Sequence, residues 1–389
     1  MYIVCDSNGT RIQVNGSENW IYLYQTGIPN LHIRDDLVEI RTDVLSVAYL
    51  RLLLQFASMH CKIGGEIRLK AKNNIIHPFV DALQQEVSLV LGDTVQKHSS
   101  EQSGKYLSLS YVKIGVLRIE NYIGKSLTLG IISSGIASDA LIKCIDSFAA
   151  LAGIVTEVLV CGPATLQEEL KKYHNVRLLI FEENLNDHRP QICRKKNIIA
   201  QQSIGENLLI IHERIRPTAN FATTYKSLSP HFEVIGCELR DIEGDFISGW
   251  NLLPYNDHTG SARLGVRISS IEHISPHHYG NGAVIFCKRE VYLRCPLDPR
   301  LHWGDMEDNH WYQKLWIEGI SVNTISDLVC SDFSKSLTTN RRSRWRPSGF
   351  LLWHSWVPNR SHTLPQYLLF TIAVFLRLVV KRILLLVRI

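Results

Sequence analysis

The segment Trp303-Gly304-Asp305-Met306-Glu307-Asp308-Asn309-His310 sets three carboxylates and a histidine just ahead of an apolar helix predicted over residues 311–317. Like charges this close repel one another unless a cation, a helix N-terminus or solvent relieves them. A carboxylate at a helix start, Asp308 or Glu307 beside it, can serve as a general base toward a hydroxyl. Asp305 or Asp308 can equally be the N-cap of that helix. A second set, His212-Glu213-Arg214, directly follows the apolar run 207–211. An acidic residue at the carboxyl end of a buried strand is placed to hold a divalent cation against a diphosphate, and hard oxygen ligands suit magnesium or manganese. Glu213 can also be a solvated charge in a turn. The third set is Gly280-Asn281-Gly282 ahead of the strand-like run 283–287. Its glycines let backbone approach a ligand, or simply close a hairpin.

These residues need a frame. A chain of 389 residues exceeds one comfortable core, so two domains, or one large domain with appendages, are expected. In residues 1–122 the patterning predicts a strand at 36–42, a helix at 44–60, a strand at 64–70 and a helix at 77–91. Two β-rich stretches, 107–114 and 116–119, follow. From Ser126 the alternation is more regular: strand 127–132, helix 139–151, strand 156–160, short helix 165–173, strand 176–181, helix 193–203 with Gly205 as its stop, and strand 207–211. Successive strand–helix units predict an α/β fold with a doubly wound, Rossmann-like and mainly parallel sheet, its ligand at the carboxyl ends of the strands. The expected division is a smaller α/β domain at 1–122, the main domain at 123–335 and a tail at 336–389.

Composition narrows the class. At 45% apolar and 20% charged residues the chain is that of a globular protein, and a net charge of +5 is too small for a dedicated nucleic-acid binder. None of the nine cysteines has C-x-x-C spacing, and several lie in apolar runs, as buried thiols of a reducing compartment do. The start, MYIVCDSNGTRI, has no basic segment followed by a long apolar one, so no secretory signal is expected. The tail holds a basic cluster, Arg341-Arg342-Ser343-Arg344-Trp345-Arg346, and an apolar stretch, 364–389. On a helix, Arg377, Lys381 and Arg388 in that stretch share a narrow arc, which suits an amphipathic helix lying in a membrane interface. A short tilted span and a buried helix are the alternatives.

The order of the motifs resembles that of family 2 glycosyltransferases of GT-A fold. The matching stretches are LTLGIISSG; TEVLVCG; Arg194-Lys195-Lys196-Asn197; ENLLIIHER; and finally GNGAVIFCKREVY followed by WGDMEDNHWYQKL. The resemblance covers about half the chain and implies a nucleotide-sugar donor and a glycan or lipid-linked acceptor. It implies that Ser133, Ser134 and Gly162 line the nucleotide site with Lys196, Asn197 and Gly282 nearby. Glu213, with His212, would meet a divalent cation, and Asp308 or Glu307 would be the base of an inverting displacement. Two positions depart from the family pattern. Cys161-Gly162 stands where an aspartate usually contacts the base, and His212-Glu213-Arg214 stands for the Asp-x-Asp metal motif. These departures motivate an alternative, a catalytically silent domain that binds or scaffolds. RRSRW is similar to the Gln-x-x-Arg-Trp motif of processive synthases in the same family, with Arg341 at the glutamine position, which implies phosphate or acceptor contacts for Arg344 and Trp345; a basic patch on lipid phosphates and a solvated loop are the alternatives. The implied setting is the cytoplasmic face of a membrane, in surface polysaccharide or glycolipid synthesis. Residues 1–122 look like the later half of a class I methyltransferase fold, but no G-x-G-x-G lies upstream, so a scaffold is expected there rather than methyl transfer.

Overall fold

In the computed structural model of the chain, strands and helices alternate through two large sheets, with a two-stranded one beside them in sequence. Described are residues 1–6, 9–13, 31–42, 47–72, 78–104, 106–136, 138–149, 151, 153–183, 189–240, 246–248, 250–252 and 278–333. By mutual contact the chain divides into two units, one of Met1–Asn251 with Arg267–Phe333 and one of Leu252–Val266 with Ser334–Ile389. The expected tail helix, with Arg344 and Trp345, lies outside the described residues. Among those described, no helix is long and apolar enough to cross a membrane.

The first sheet is built from β1 (Tyr2–Asp6), β2 (Gly9–Gln13), β3 (Asp35–Thr42), β4 (Cys61–Lys72), β5 (Val95–Ser103) and β6 (Tyr106–Lys113), in the order β2-β1-β3-β4-β6-β5. Helices α1 (Val47–His60) and α2 (Pro78–Leu91) make the crossovers. Strands β1, β3 and β4 run parallel, whereas β6 is antiparallel to both β4 and β5. The sequence reading missed β5, VQKHSSEQS, because that edge strand is almost wholly solvated and carries no apolar alternation. The strand expected at 116–119 is instead a 3-10 turn over Arg118–Asn121.

The second sheet carries β7 (Leu127–Ile132), β8 (Val155–Gly162), β9 (Val176–Ile180), β10 (Asn207–His212), β11 (Ile215–Pro217), β12 (Val234–Arg240), β13 (Phe246–Ser248), β16 (Val284–Lys288) and β17 (Val322–Asp332). Two further strands, β14 (Trp250–Leu252) and β15 (His278–Gly280), pair with each other. The main order is β11-β17-β12-β16-β10-β7-β8-β9, and β10, β7, β8 and β9 are parallel, as the alternating pattern predicts. The connecting helices are α3 (Ser138–Ala149), α4 (Gln167–Leu170), α5 (Ile192–Gln202), α6 (Phe221–Ser227), α7 (Arg289–Arg294) and α8 (Glu307–Ile317).

Both faces of this sheet are covered. On one, Leu129, Ile131, Leu209 and Ile211 pack with Leu141, Ile145 and Phe148 of α3 and Phe221 of α6. On the other, α5 approaches so closely that a Cβ on Gly130 would stand 2.3 Å from the Ile199 side chain. A glycine in the middle of β7 therefore sets the seat of α5. Gly205 has a similar role. It is not a left-handed helix stop; α5 ends at Gln202 with Ser203 as its C-cap, and a Cβ on Gly205 would stand 2.6 Å from the Thr128 backbone nitrogen.

A buried carboxylate joins the two sheets. Glu233, 1% exposed, accepts from both Nε and Nη2 of Arg118, from Gln55 of α1 and from the Ser321 amide at 2.8 Å. Nearby, Arg51 of α1 pairs with Glu86 of α2, donates to the Trp316 carbonyl and lies 3.8 Å over the Trp316 ring. Charges taken this far from water are tolerable only when every partner is present. Glu233→Ala should therefore cost about 3 kcal/mol of stability, read as a lower urea midpoint in circular dichroism.

Candidate functional site

Three turns meet at the carboxyl ends of the parallel strands, and one helix holds two of them. The N-terminal part of α5 places Lys195 and Lys196 next to each other, and both are buried. Lys195 Nζ donates to the Ser133 carbonyl at 2.7 Å and pairs with Glu183 at 2.6 Å. Lys196 Nζ donates to the Gly282 carbonyl at 2.7 Å. The helix thus fixes the turn after β7 and the turn before β16. Their separation is set by strand pairing, since β7 and β16 flank β10.

The turn after β10 is tied to both neighbours. The Glu213 amide donates to the Ile132 carbonyl at 3.2 Å, and the His212 amide donates to the Ala283 carbonyl at 3.2 Å. The Glu213 carboxylate accepts from the hydroxyl of Ser133 and, at 3.2 Å, from that of Ser134. Ser133, Ser134, His212, Glu213, Lys196 and Gly282 therefore form one connected set. Gly162, at the end of β8, belongs to its rim: an added Cβ would sit 2.9 Å from Leu166 and 3.2 Å from the Ser133 carbonyl. Asn197 faces elsewhere. Its amide donates to the Leu297 carbonyl at 2.9 Å and its oxygen accepts from Tyr292 at 3.0 Å, so it braces α5 against α7.

The acidic segment completes the set through Gly282, whose amide donates to Asp308 Oδ2 at 3.1 Å. Asp308 Oδ1 accepts from the Asn309 amide at 2.9 Å. One glycine thus carries a cation on its carbonyl and an anion on its amide. It must be small, because an added Cβ would meet Asp308 Cβ at 3.0 Å and Glu307 Oε1 at 3.1 Å. Two sequence expectations are corrected here. Neither Asp305 nor Asp308 caps α8: Met306 is the N-cap, at φ 60°, and no side chain caps it. Asp305 instead accepts from the His302 amide at 3.0 Å and pairs with Arg189. Nor does Gly280-Asn281-Gly282 close a hairpin, because β15 pairs with β14 while β16 joins the main sheet.

The electrostatics of the carboxyl pair are unusual. Glu307 is 7% exposed, and burial, together with the Asp308 charge, pushes it up to about 7, with Lys196 opposing the shift. Burial also raises Asp308, while the amides of Asn309 and Gly282 and the Lys196 charge hold it back. A carboxyl group that gives up its proton near neutrality is suited to accept one in a reaction. His212 is 8% exposed, and burial first, then Arg214, Lys196 and Lys195, hold its ring well below the usual range.

Sequence reasoning named Lys195 and Arg214 within their motifs but gave them no role, and it passed over Glu183 and Asp332. Glu183 carried a legible signal, being acidic and just beyond a predicted parallel strand. Asp332 did not, because only β11–β17 pairing brings it to Arg214, whose Nε donates to it at 3.0 Å. Among the described residues no three His, Cys, Asp or Glu side chains group closely enough to hold a metal. A cation here would take one protein oxygen ligand, Glu213, with the rest from phosphate and water, a pattern magnesium accepts.

No family model and no curated protein matches this chain. It is similar to solved structures of S. aureus TarS 1–349 in complex with UDP-GlcNAc (13% identity over 58% of this chain and 63% of that one, TM-score 0.41). It is also similar to GalNAc-T7 with UDP, GalNAc and Mn2+ (16% identity over 68% of this chain and 54% of that one, TM-score 0.39). The chain thus spans less than two thirds of each of these proteins.

Lys196 is the cation that most restrains both carboxyl groups. Lys196→Met should shift the titration of the Glu307–Asp308 pair to higher pH, followed by carboxyl carbon NMR; an unmoved titration would mean the pair is insulated from that cation.

Proposed function

We propose that this protein is a glycosyltransferase that moves a sugar from a nucleotide-sugar donor to a hydroxyl of a glycan or lipid-linked acceptor, with inversion. The observation that carries the reading is the Gly282 junction. It sets a carboxyl pair, Glu307 buried and raised to about 7 and Asp308 half-buried and raised as well, beside a turn that bears Glu213 at the end of a parallel sheet. That sheet region is where a doubly wound fold binds nucleotides.

On this reading Asp308, with Glu307 beside it, takes the proton of the acceptor hydroxyl as its oxygen attacks the anomeric carbon. Its two amide hydrogen bonds hold the carboxylate in one orientation while leaving lone pairs for the substrate. The donor diphosphate sits against Ser133, Ser134 and the turn of Glu213, with Gly162 leaving room for backbone approach. Lys195 and Lys196 supply positive potential as the nucleoside diphosphate departs. When bound, a magnesium or manganese ion held by Glu213 would neutralise further phosphate charge. The tail, residues 336–389, would hold the enzyme on the cytoplasmic face of a membrane, where Arg344 and Trp345 would meet phosphate or acceptor. That setting suits surface polysaccharide or glycolipid synthesis.

Asp308→Asn should lower sugar transfer by about two to four orders of magnitude while nucleotide affinity changes little. Donor hydrolysis and transfer across UDP-, GDP- and dTDP-sugars are the measurements, and full activity in the variant would remove the assigned base. Because the carboxyl pair must be unprotonated to act and both members are raised, Glu307 to about 7, kcat/KM should fall as pH drops below neutrality. For the tail, removal of residues 364–389 should abolish co-sedimentation with anionic vesicles and spare nucleotide binding; lost nucleotide binding would place the segment in the domain core.

A further inference from the structure

We propose that His212 donates a hydrogen bond from Nε2 to a phosphate oxygen of the bound donor and is not a metal ligand; the inference rests on the glycosyltransferase reading above. The argument starts from Arg214, whose Nη1 lies 2.9 Å from His212 Nδ1. A guanidinium has only donors, so Nδ1 must be the acceptor. The one ring hydrogen is then on Nε2, and that atom is buried with no hydrogen-bond partner. A buried N–H without an acceptor is costly, and native proteins keep few of them without a reason.

The tautomer is held from outside the ring. Arg214 Nε donates to Asp332 Oδ2 at 3.0 Å, and Asp332, 3% exposed, ends β17. For Nε2 to ligate a metal the hydrogen would have to move to Nδ1, where it would confront an Arg214 N–H. An oxygen acceptor needs no such rearrangement.

Position selects the kind of oxygen. Gly130 of β7 is in register with Ile210 of β10, and Ile199 of α5 packs directly on Gly130. Alternation along β10 puts His212 on that same face, with Lys195 and Lys196, and opposite the face of Leu209 and Ile211. Three cations, Arg214, Lys195 and Lys196, act on the ring, so its surroundings favour an anionic acceptor over a neutral carbonyl. Glu213, the next residue, is already engaged by the Ser133 and Ser134 hydroxyls. Of the donor's parts, the diphosphate is the one that carries charge.

Calorimetry of UDP, GDP and dTDP on the full chain, with EDTA and again with Mn2+, tests this. His212→Ala should weaken the best-bound diphosphate about 10- to 100-fold in both conditions. His212→Gln, whose amide can donate from nearly the same place, should stay within about threefold of the unaltered protein. A loss seen with Mn2+ alone would make His212 a metal ligand and overturn the inference. So would undiminished binding by His212→Ala, or a loss that His212→Gln fails to recover. If the unaltered chain binds no diphosphate in either condition, the glycosyltransferase reading falls and this inference with it. Ring nitrogen NMR of the unaltered protein gives a readout independent of variant folding: the hydrogen should be on Nε2 and respond to diphosphate, and a hydrogen on Nδ1 ends the proposal.

Discussion

Two adjacent ammonium groups, buried near the start of one helix, fix the geometry of the site. Lys195 and Lys196 give up their hydration to reach the carbonyls of Ser133 and Gly282. Burying a cation is unfavourable unless its hydrogen bonds and countercharges are complete, so each lysine tolerates one arrangement of the turn it holds. Neighbouring residues on a helix point about 100° apart, which lets one helical turn brace two different strands. The seat of α5 is set in turn by the absence of a side chain at Gly130.

The carboxyl pair is the complement of that arrangement. Glu307, buried, and Asp308, half-buried, lie beside each other at the start of α8, where Lys196, backbone amides and the helix N-terminus oppose their repulsion. A chain selected for stability alone would separate such charges or expose them. The raised titration is therefore a property of the site's design and not of a poorly packed surface. Elsewhere the same protein balances buried charge closely. Glu233 accepts from three residues, and Lys288 pairs with Glu206 while lying within 5 Å of the Tyr122 and Phe232 rings.

What could be read from the sequence follows the range of the forces involved. Strands written as nearly continuous apolar runs announce themselves, so β7, β8 and β10 in the sheet interior, and the half-exposed edge strand β9, were legible nearly to the residue. The solvated edge strand β5 and the 3-10 turn at Arg118–Asn121 were not, since neither has a periodic apolar signal. At the site, residues joined to strand ends, such as Ser133, His212 and Glu213, could be placed because their neighbours in sequence define the strand. The meaning of Asp308 could not. Its two readings, cap or base, differ only in which amide it accepts from, and Gly282 lies 26 residues away. Asn197 is the opposite case, a polar residue of the resembling motif whose side chain is engaged in hydrogen bonds to Leu297 and Tyr292.

The replacement of a two-carboxylate motif by His212-Glu213-Arg214 changes the charge balance of this turn. With one carboxylate and one guanidinium the three residues sum to neutral, whereas an Asp-x-Asp motif with a neutral middle residue carries two negative charges. On the proposed reading, less anionic charge in the protein means less need for a cation to bring a diphosphate close. Lys195, Lys196 and Arg214 are covalently present at every moment, whereas an ion must be recruited. Fixed cations cannot leave with the product, so release of the nucleoside diphosphate would then depend on the Ser133, Ser134 and Gly282 turns giving way. Those turns are held by the two buried lysines, and the same two hydrogen bonds that shape the cleft would govern how readily it empties.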